Sequence, residues 1–399
     1  MKKIRIGLIS HLVRDYNLGC SALAISNIRL MDEVFEKKGV NVEYIVILAE
    51  PKEMIDLDEY ISLKGITNNS YSYKTYPRLK PVLKNPTLLW KTDAFENLDF
   101  VIDLCGGDGY TDNYGLIRLL AESMPVFGCK IKNVPCIFGP QTIGPFNSII
   151  GRNIAKLTLN KLRETFVRDI SSYNCCNKLK IKSEKYQVID VAFALPFEKK
   201  SYNDNYIHIG INVSGLLYNG GYNHNNYFNL EFSYKEFIDQ LIPTLLSDKR
   251  VKVHLVPHVI ENTEGVDDDY SICKLIHKTY PQCELPNKFK TATEAKSYIS
   301  AMDLFSGARM HSTIGAISSG VPVIPVAYSR KFNGLYDTLK YPYLIDAKEK
   351  ISVKEAIDKF MKYYSEINKM QQAVLVAKAV YSEGLKKYKD KLSMVLELD

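Results

Sequence analysis

Short apolar runs alternate with helical spacings through the first half of the chain. Ile4–Ile9, Val42–Leu48, Phe100–Cys105, Val134–Phe138, Thr165–Arg168 and Gln187–Val191 are brief, β-branched and closed by Gly, Pro or Asp, the pattern of buried parallel strands. Between the first two, Ala24, Ile28, Met31 and Phe35 recur at spacings that put them on one helical face. Asn147–Arg163 and Ser171–Lys180 read as further helices. Strands alternating with helices predict an open α/β sheet with right-handed crossovers. Asn68–Lys91, rich in Tyr, Lys and Pro and without a period, reads as an insertion or flap.

A polar stretch at Pro196–Asn205 is the candidate linker, and a second strand–helix series follows it. Ile207–Val213, Lys252–Val256, Leu304–Ser306 and Val321–Val326 read as strands. Ser233-x-x-Glu236, Thr291-x-x-Glu294 and Ser352-x-x-Glu355 read as capping boxes that start three helices. The predicted organisation is a first domain over 1–197, a second over 205–370, and a Lys-rich final helix over 371–399 that packs back on the first domain or lies near anionic lipid. Two α/β halves place a ligand at the carboxyl ends of their strands, in a cleft.

Composition narrows the class. The 399 residues are 46% hydrophobic and 24% charged, which excludes a disordered or collagen-like chain and a polytopic membrane protein. The net charge of +7 is spread along the chain, and fits small anionic substrates or an acidic membrane surface better than nucleic acid. The apolar run at Ile4–Ile9 is too short for a signal peptide's core. Eight scattered cysteines without a C-x-x-C pair fit reduced, buried thiols, hence a cytoplasmic protein, and no histidine or carboxylate spacing predicts a metal.

Candidate chemistry lies at strand ends. Gly106-Gly107-Asp108-Gly109 follows a strand, either cradling a ligand with backbone N–H groups or simply making a tight turn. Gln141 sits among Gly-Pro turns, as an outward amide or part of a stiff connection. Arg168 closes another strand beside a helix start, suited to a carboxylate or phosphate or else to an ion pair such as one with Asp169. The most informative stretch is Gly307-Ala-Arg309-Met-His311-Ser312, where a guanidinium, an imidazole and helix N–H groups converge; Arg330 and Lys331 follow the next strand. His258 and His11 also close strands, as site residues or as caps, whereas His208 and His254 read as packed. Tyr218–Asn226 is a polar, aromatic loop that suits sugar stacking or is plain loop.

Taken in order, Asn17-x-Gly19, Gly106-Gly-Asp108, Gln141-Thr-Ile-Gly-Pro145, Arg168-Asp169-x-x-Ser172, Asp190-Val-Ala-Phe-x-Leu195, Arg309-x-His311 and Tyr328-x-x-Lys331 resemble the polysaccharide pyruvyltransferase family along most of the chain. The resemblance implies two Rossmann-like domains facing across a cleft, similar to GT-B glycosyltransferases. It implies transfer of pyruvyl from phosphoenolpyruvate onto two sugar hydroxyls, giving a cyclic ketal and phosphate; the cations at strand edges, without ligand-spaced carboxylates, predict that neither cofactor nor metal is needed. It carries over Arg168, His311 and Lys331 as phosphoenolpyruvate contacts, with Arg309 beside them and Asn17 near the donor. His311 is the candidate for proton transfer, since a free imidazole titrates near neutral pH, and Asp108 is the candidate base. Gly107, Gln141 and His258 are candidate acceptor or cleft residues. Many members have Asp after the first-loop glycine; here it is Cys20, so that role is open, with Asp15 a possible substitute. The expected acceptor is a saccharide on a membrane carrier, met at the cytoplasmic membrane face. The alternatives are a nucleotide-sugar glycosyltransferase of GT-B type and a non-catalytic carbohydrate-binding protein of the same fold.

Overall fold

The computed structural model describes residues 3–51, 61–107, 109–261 and 265–395. They form two compact units. The first is Met1–Val13, Leu23–Val191 and Glu383–Asp399; the second is Arg14–Ala22 and Ala192–Ser382.

The first unit is built on seven parallel strands: β1 (Lys3–Ile9), β2 (Asn41–Ala49), β3 (Ser70–Tyr76), β4 (Phe100–Asp103), β5 (Cys136–Gln141), β6 (Glu164–Val167) and β7 (Glu184–Gln187). Their order is β3-β2-β1-β4-β5-β6-β7, so the sheet reverses direction of growth between β1 and β4. The β-branched runs fill it from both sides: Ile6, Leu8, Tyr44, Val46, Val101, Ile102 and Ile137 are fully buried. Each such apolar side chain contributes roughly 1.5–3 kcal/mol by leaving water. Helix Leu18–Lys38 buries Ile28, Met31 and Phe35.

Two readings change here, and one helix is added. Asn68–Lys91 is no flap. Ser70–Tyr76 is the edge strand, and its first four residues are exposed, which is why the stretch lacks a core signal; short helices Leu79–Lys84 and Thr87–Lys91 follow. Helix Leu116–Ile131, with Pro125 inside it, was hidden by that proline. β5 runs through Gly139-Pro140 to Gln141 with a register shift after Phe138, so Gln141 ends a strand instead of crowning a loop.

The second unit holds β8 (Ile207–Asn212), β9 (Val251–Leu255), β10 (Leu304–Gly307), β11 (Val323–Ala327) and β12 (Ile345–Asp346). All are parallel, in the order β12-β11-β10-β8-β9, and the reversal lies between β8 and β10. Ser233, Thr291 and Ser352 each accept the N–H three residues on, as the capping pattern predicts. Only Ser352 and Glu355 are seen to close the reciprocal box; Glu294 accepts from the Lys290 N–H at 2.7 Å.

Pro196–Asn205 is not a free linker. It belongs to the second unit, where Ser297 and Ser300 hydroxyls accept the Glu198 and Lys200 N–H groups at 3.0 Å. The Lys296 ammonium donates to the Leu195 carbonyl at 2.8 Å. The helix after Ser365 begins at Ile367. Its Tyr381 stacks on Phe193 in the second unit, and its Tyr388 is buried in the first, donating to Asn27 at 2.7 Å.

Candidate functional site

Open parallel sheets bind ligands at the carboxyl edge where strand order reverses. In the second unit that point carries Asn212, at the end of β8, and the turn after β10. Asn212 Oδ1 accepts the Arg309 N–H at 2.9 Å, and its Nδ2 donates to the Val256 carbonyl and to Asp269 Oδ2. Asp269 is fully buried and also accepts the N–H groups of Gly215, His258 and Val259 at 2.8–3.1 Å. One carboxylate therefore ties together the loops after β8, β9 and β10.

The Arg309 guanidinium lies on that carboxylate, 2.7 Å from Asp269 and 2.6 Å from Asp267. Arg309 is thus neutralised by two acids, and it stands at the N-cap of helix Met310–Ser318.

His311 stands in the first turn of that helix. A Cβ added to Gly19 would collide with His311 Nδ1 and lie 2.9 Å from its Cγ, so only glycine lets the Arg14–Ala22 segment approach the imidazole. The segment is stitched in place. Asn17 Oδ1 accepts the Gly19 N–H at 3.0 Å, Leu18 N–H donates to the His258 carbonyl at 3.1 Å, and Ile260 N–H donates to Tyr16. Asn17, His258, Arg309 and His311 thus come together in one unit, although Asn17 is far from the others in sequence. His258 is 4% exposed, and neither ring nitrogen has a hydrogen-bond partner among the described residues. Burial, with His311 and Arg309 nearby, pushes its pKa down to about 3, so the ring is neutral at pH 7.

Lys331 lies in the first turn of helix Arg330–Thr338, after β11, which pairs with β10. Burial pushes its ammonium down to about 8. Tyr328, just before it, packs edge-on against Phe228 at 5.0 Å. Phe228 in turn walls a cavity of about 470 Å³, together with Tyr218, Asn219, His224, Tyr227 and Tyr234. The aromatic loop singled out from the sequence therefore shapes a pocket in the second unit.

The corresponding edge of the first unit gathers Gly107, Gln141 and Arg168. Gly107 has φ +86°, and a Cβ there would stand 3.3 Å from Arg168 Nη1. Its carbonyl accepts the Thr142 N–H at 2.8 Å, and Gln141 Nε2 donates to the Asp103 carbonyl at 3.2 Å. Arg168 is buried, with Nη1 2.7 Å from Asp190 Oδ2 and Nε 2.8 Å from Thr142 Oγ1. It too is a paired cation, and its partner is Asp190; Asp169 caps the next helix instead. Asp103, ending β4, accepts from Cys105 N–H at 2.8 Å and from Ser10, and burial pushes its pKa up to about 7. His11 is a packed residue, bonded to Ile9 and Asn27. Asp108 lies outside the described residues. Among the described residues, no group of three His, Cys, Asp or Glu is placed to hold a metal.

Sequence reasoning missed Asn212, Asp267 and Asp269. The acidic run Asp267-Asp268-Asp269 just before a helix was the available signal.

These features define a GT-B-type α/β protein, and solved structures agree across nearly the whole chain. UDP-GlcNAc 2-epimerase from Neisseria meningitidis, bound to UDP-GlcNAc, is 12% identical, with 97% of this chain and 100% of that one covered at a TM-score of 0.56. HepE from Anabaena, in complex with UDP, is 10% identical, with 99% of each covered at 0.58. Sucrose-phosphate synthase from Thermosynechococcus elongatus is 10% identical, with 99% and 98% covered at 0.53. No curated protein sequence matches the chain. The model of the polysaccharide pyruvyl transferase family matches residues 17–330, and the chain belongs to that family.

Proposed function

We propose that this protein transfers a pyruvyl group from phosphoenolpyruvate onto two hydroxyls of a saccharide, forming a cyclic ketal and releasing phosphate. Family membership supports a transferase of polysaccharide biosynthesis acting on a saccharide. The observation that carries the finer reading is the approach of Gly19 to His311 at the start of helix Met310–Ser318, with the Lys331 helix starting from the adjacent strand.

Phosphoenolpyruvate presents a carboxylate and a phosphate on one small frame. Helix N–H groups and the Lys331 ammonium supply positive charge for those anions, and no metal is required of the reaction. Protonation of the methylene carbon makes the central carbon electrophilic. One sugar hydroxyl attacks it and loses its proton; phosphate then departs with the C–O bond pair. The second hydroxyl closes the ring as its proton leaves. His311 is assigned the proton transfer, because an imidazole serves as acid and base near neutral pH. Arg309 and Arg168 act as positioning residues through Asp269 and Asp190. The pocket walled by Tyr218, Tyr227 and Phe228 is assigned to an acceptor sugar, whose apolar face stacks on aromatic rings. The acceptor is taken to be lipid-linked and the protein cytoplasmic. Among the described residues, no helix is long and apolar enough to cross a membrane.

The test is phosphate release from phosphoenolpyruvate on adding saccharide acceptors, with and without a chelator. Release that needs both substrates, survives chelation and disappears in His311→Ala supports the proposal. UDP release from a nucleotide-sugar instead would return the glycosyltransferase reading, which rests on fold likeness alone.

A further inference from the structure

Helix Ile149–Leu159 buries Ala155, Thr158 and Leu159 inward. Outward it turns large aliphatic groups: Ile149, Ile150 and Leu157 are 70%, 59% and 55% exposed. Arg152 and Lys156 are exposed among them. The stretch 147–163 holds four basic residues (Arg152, Lys156, Lys161 and Arg163) and no acidic one.

A neighbouring helix extends the patch. Ile117, 77% exposed, lies in the first turn of Leu116–Ile131, which packs beside Ile149–Leu159. Asp112 locks the two starts together by accepting the Asn147 and Ser148 N–H groups, both at 2.8 Å. Two carboxylates of the neighbouring helix region are engaged: Asp112 in that lock, and Glu122 with Arg118 at 3.6 Å. Single exposed aliphatics are ordinary on a protein surface. Three on one helix and a fourth on its neighbour, with cations interspersed and no acid in the stretch 147–163, form a surface with both apolar and electrostatic appetite.

We propose that this face of the first unit docks on an anionic bilayer surface. Ile117, Ile149, Ile150 and Leu157 enter the acyl boundary, and Arg152 and Lys156 meet lipid phosphates. A second copy of the chain is the poorer occupant, since a two-fold contact would press the same cationic stretch against itself. The final helix is also poorer, because its Lys389 pairs with Glu33 at 2.7 Å. The proposal is independent of the catalytic reading, because binding is measured without turnover.

Co-sedimentation of the full chain with phosphatidylcholine vesicles, with and without phosphatidylglycerol, tests it. Wild type is expected to bind the mixed vesicles, and to bind less as salt rises. Each basic side chain near an anionic surface contributes about fivefold, so Arg152→Glu with Lys156→Glu should lower partitioning at least about 25-fold. Ile149→Asp with Ile150→Asp should also abolish most binding. Aspartates in a helix's first turn suit its dipole, so that variant should fold, as circular dichroism would confirm. Lys386→Glu with Lys387→Glu, on the final helix, should leave most of the binding intact. Failure of wild type to bind, normal binding by both face variants, or loss confined to the final-helix variant would each overturn the proposal. So would a wild-type dimer in sedimentation velocity that the Ile149 and Ile150 changes dissociate.

Discussion

The carboxyl edges of the two sheets each clasp a guanidinium on carboxylates, yet they are finished differently. In the first unit, Arg168 joins Asp190 and Thr142 below a glycine turn, and the cluster is closed within the interior. In the second, Arg309 and Asp269 serve as a frame, and His311 and Lys331 emerge from it in the first turns of two helices. An arginine at a strand end is thus not by itself an anion site. In the second unit Asp267 and Asp269 are already engaged by Arg309, and the proposed role of the helix starts rests on that division of labour.

Four substitutions would sharpen or break the contrast. His311→Ala should lower kcat by about 10²–10⁴ with unfolding unchanged; near-normal kcat would remove the special standing of the second unit. Arg168→Ala should act chiefly on stability. It removes the buried cation paired with Asp190, a loss of about 3–5 kcal/mol in denaturant unfolding, whereas an effect confined to the KM for phosphoenolpyruvate would show that Arg168 binds substrate after all. Gly19→Ala pushes the Arg14–Ala22 segment off the imidazole, and displacing a reacting group by about 1 Å costs on the order of 10² in rate. Retention of full kcat would mean that the close approach is packing only. Lys331→Ala should raise the KM for phosphoenolpyruvate by about one to two decades, the loss of one charge-assisted contact.

Acidity gives the contrast two pH signatures. Lys331, with its folded pKa near 8, loses its charge as pH rises through that value, so the affinity for phosphoenolpyruvate should fall there and the fall should vanish in Lys331→Ala. Asp103, raised to about 7 by burial, binds its proton more tightly folded than unfolded. The stability it contributes is complete below the unfolded pKa and is lost as pH rises through about 7. Asp103→Asn should flatten that decline in unfolding measured from about pH 4 to about pH 7; an unaltered profile would assign the titration elsewhere.

The strands were largely legible because burial on both faces writes uninterrupted apolar runs, as in Ile4–Ile9 and Val42–Leu48. The edge strand Ser70–Tyr76 was not, because half of it faces water and carries Ser and Lys. The place of His311 followed from a strand, a glycine and a helix start in close succession. The frame around it did not. Arg309 meets Asp269 across 40 residues and Asn212 across 97, and no local spacing encodes such a partnership. Burial was equally invisible, and with it the ion pairs that Arg168 and Arg309 make.

The assignment of Arg14–Ala22 to the second unit, and of Glu383 onward to the first, bears on synthesis. As the chain leaves a ribosome, residues through Val191 emerge without the turn of helix that seats Tyr388 against Phe166 and Asn27. The Asn17–Gly19 segment, for its part, is made first and waits for His258 and His311 to appear. The second unit is covalently complete only once Ser382 has been made, and the first only after residues beyond it. Cutting the gene at the visible boundary would therefore yield two fragments that each lack an essential piece, and co-production of the halves would restore a folded protein only by exchanging those pieces between them.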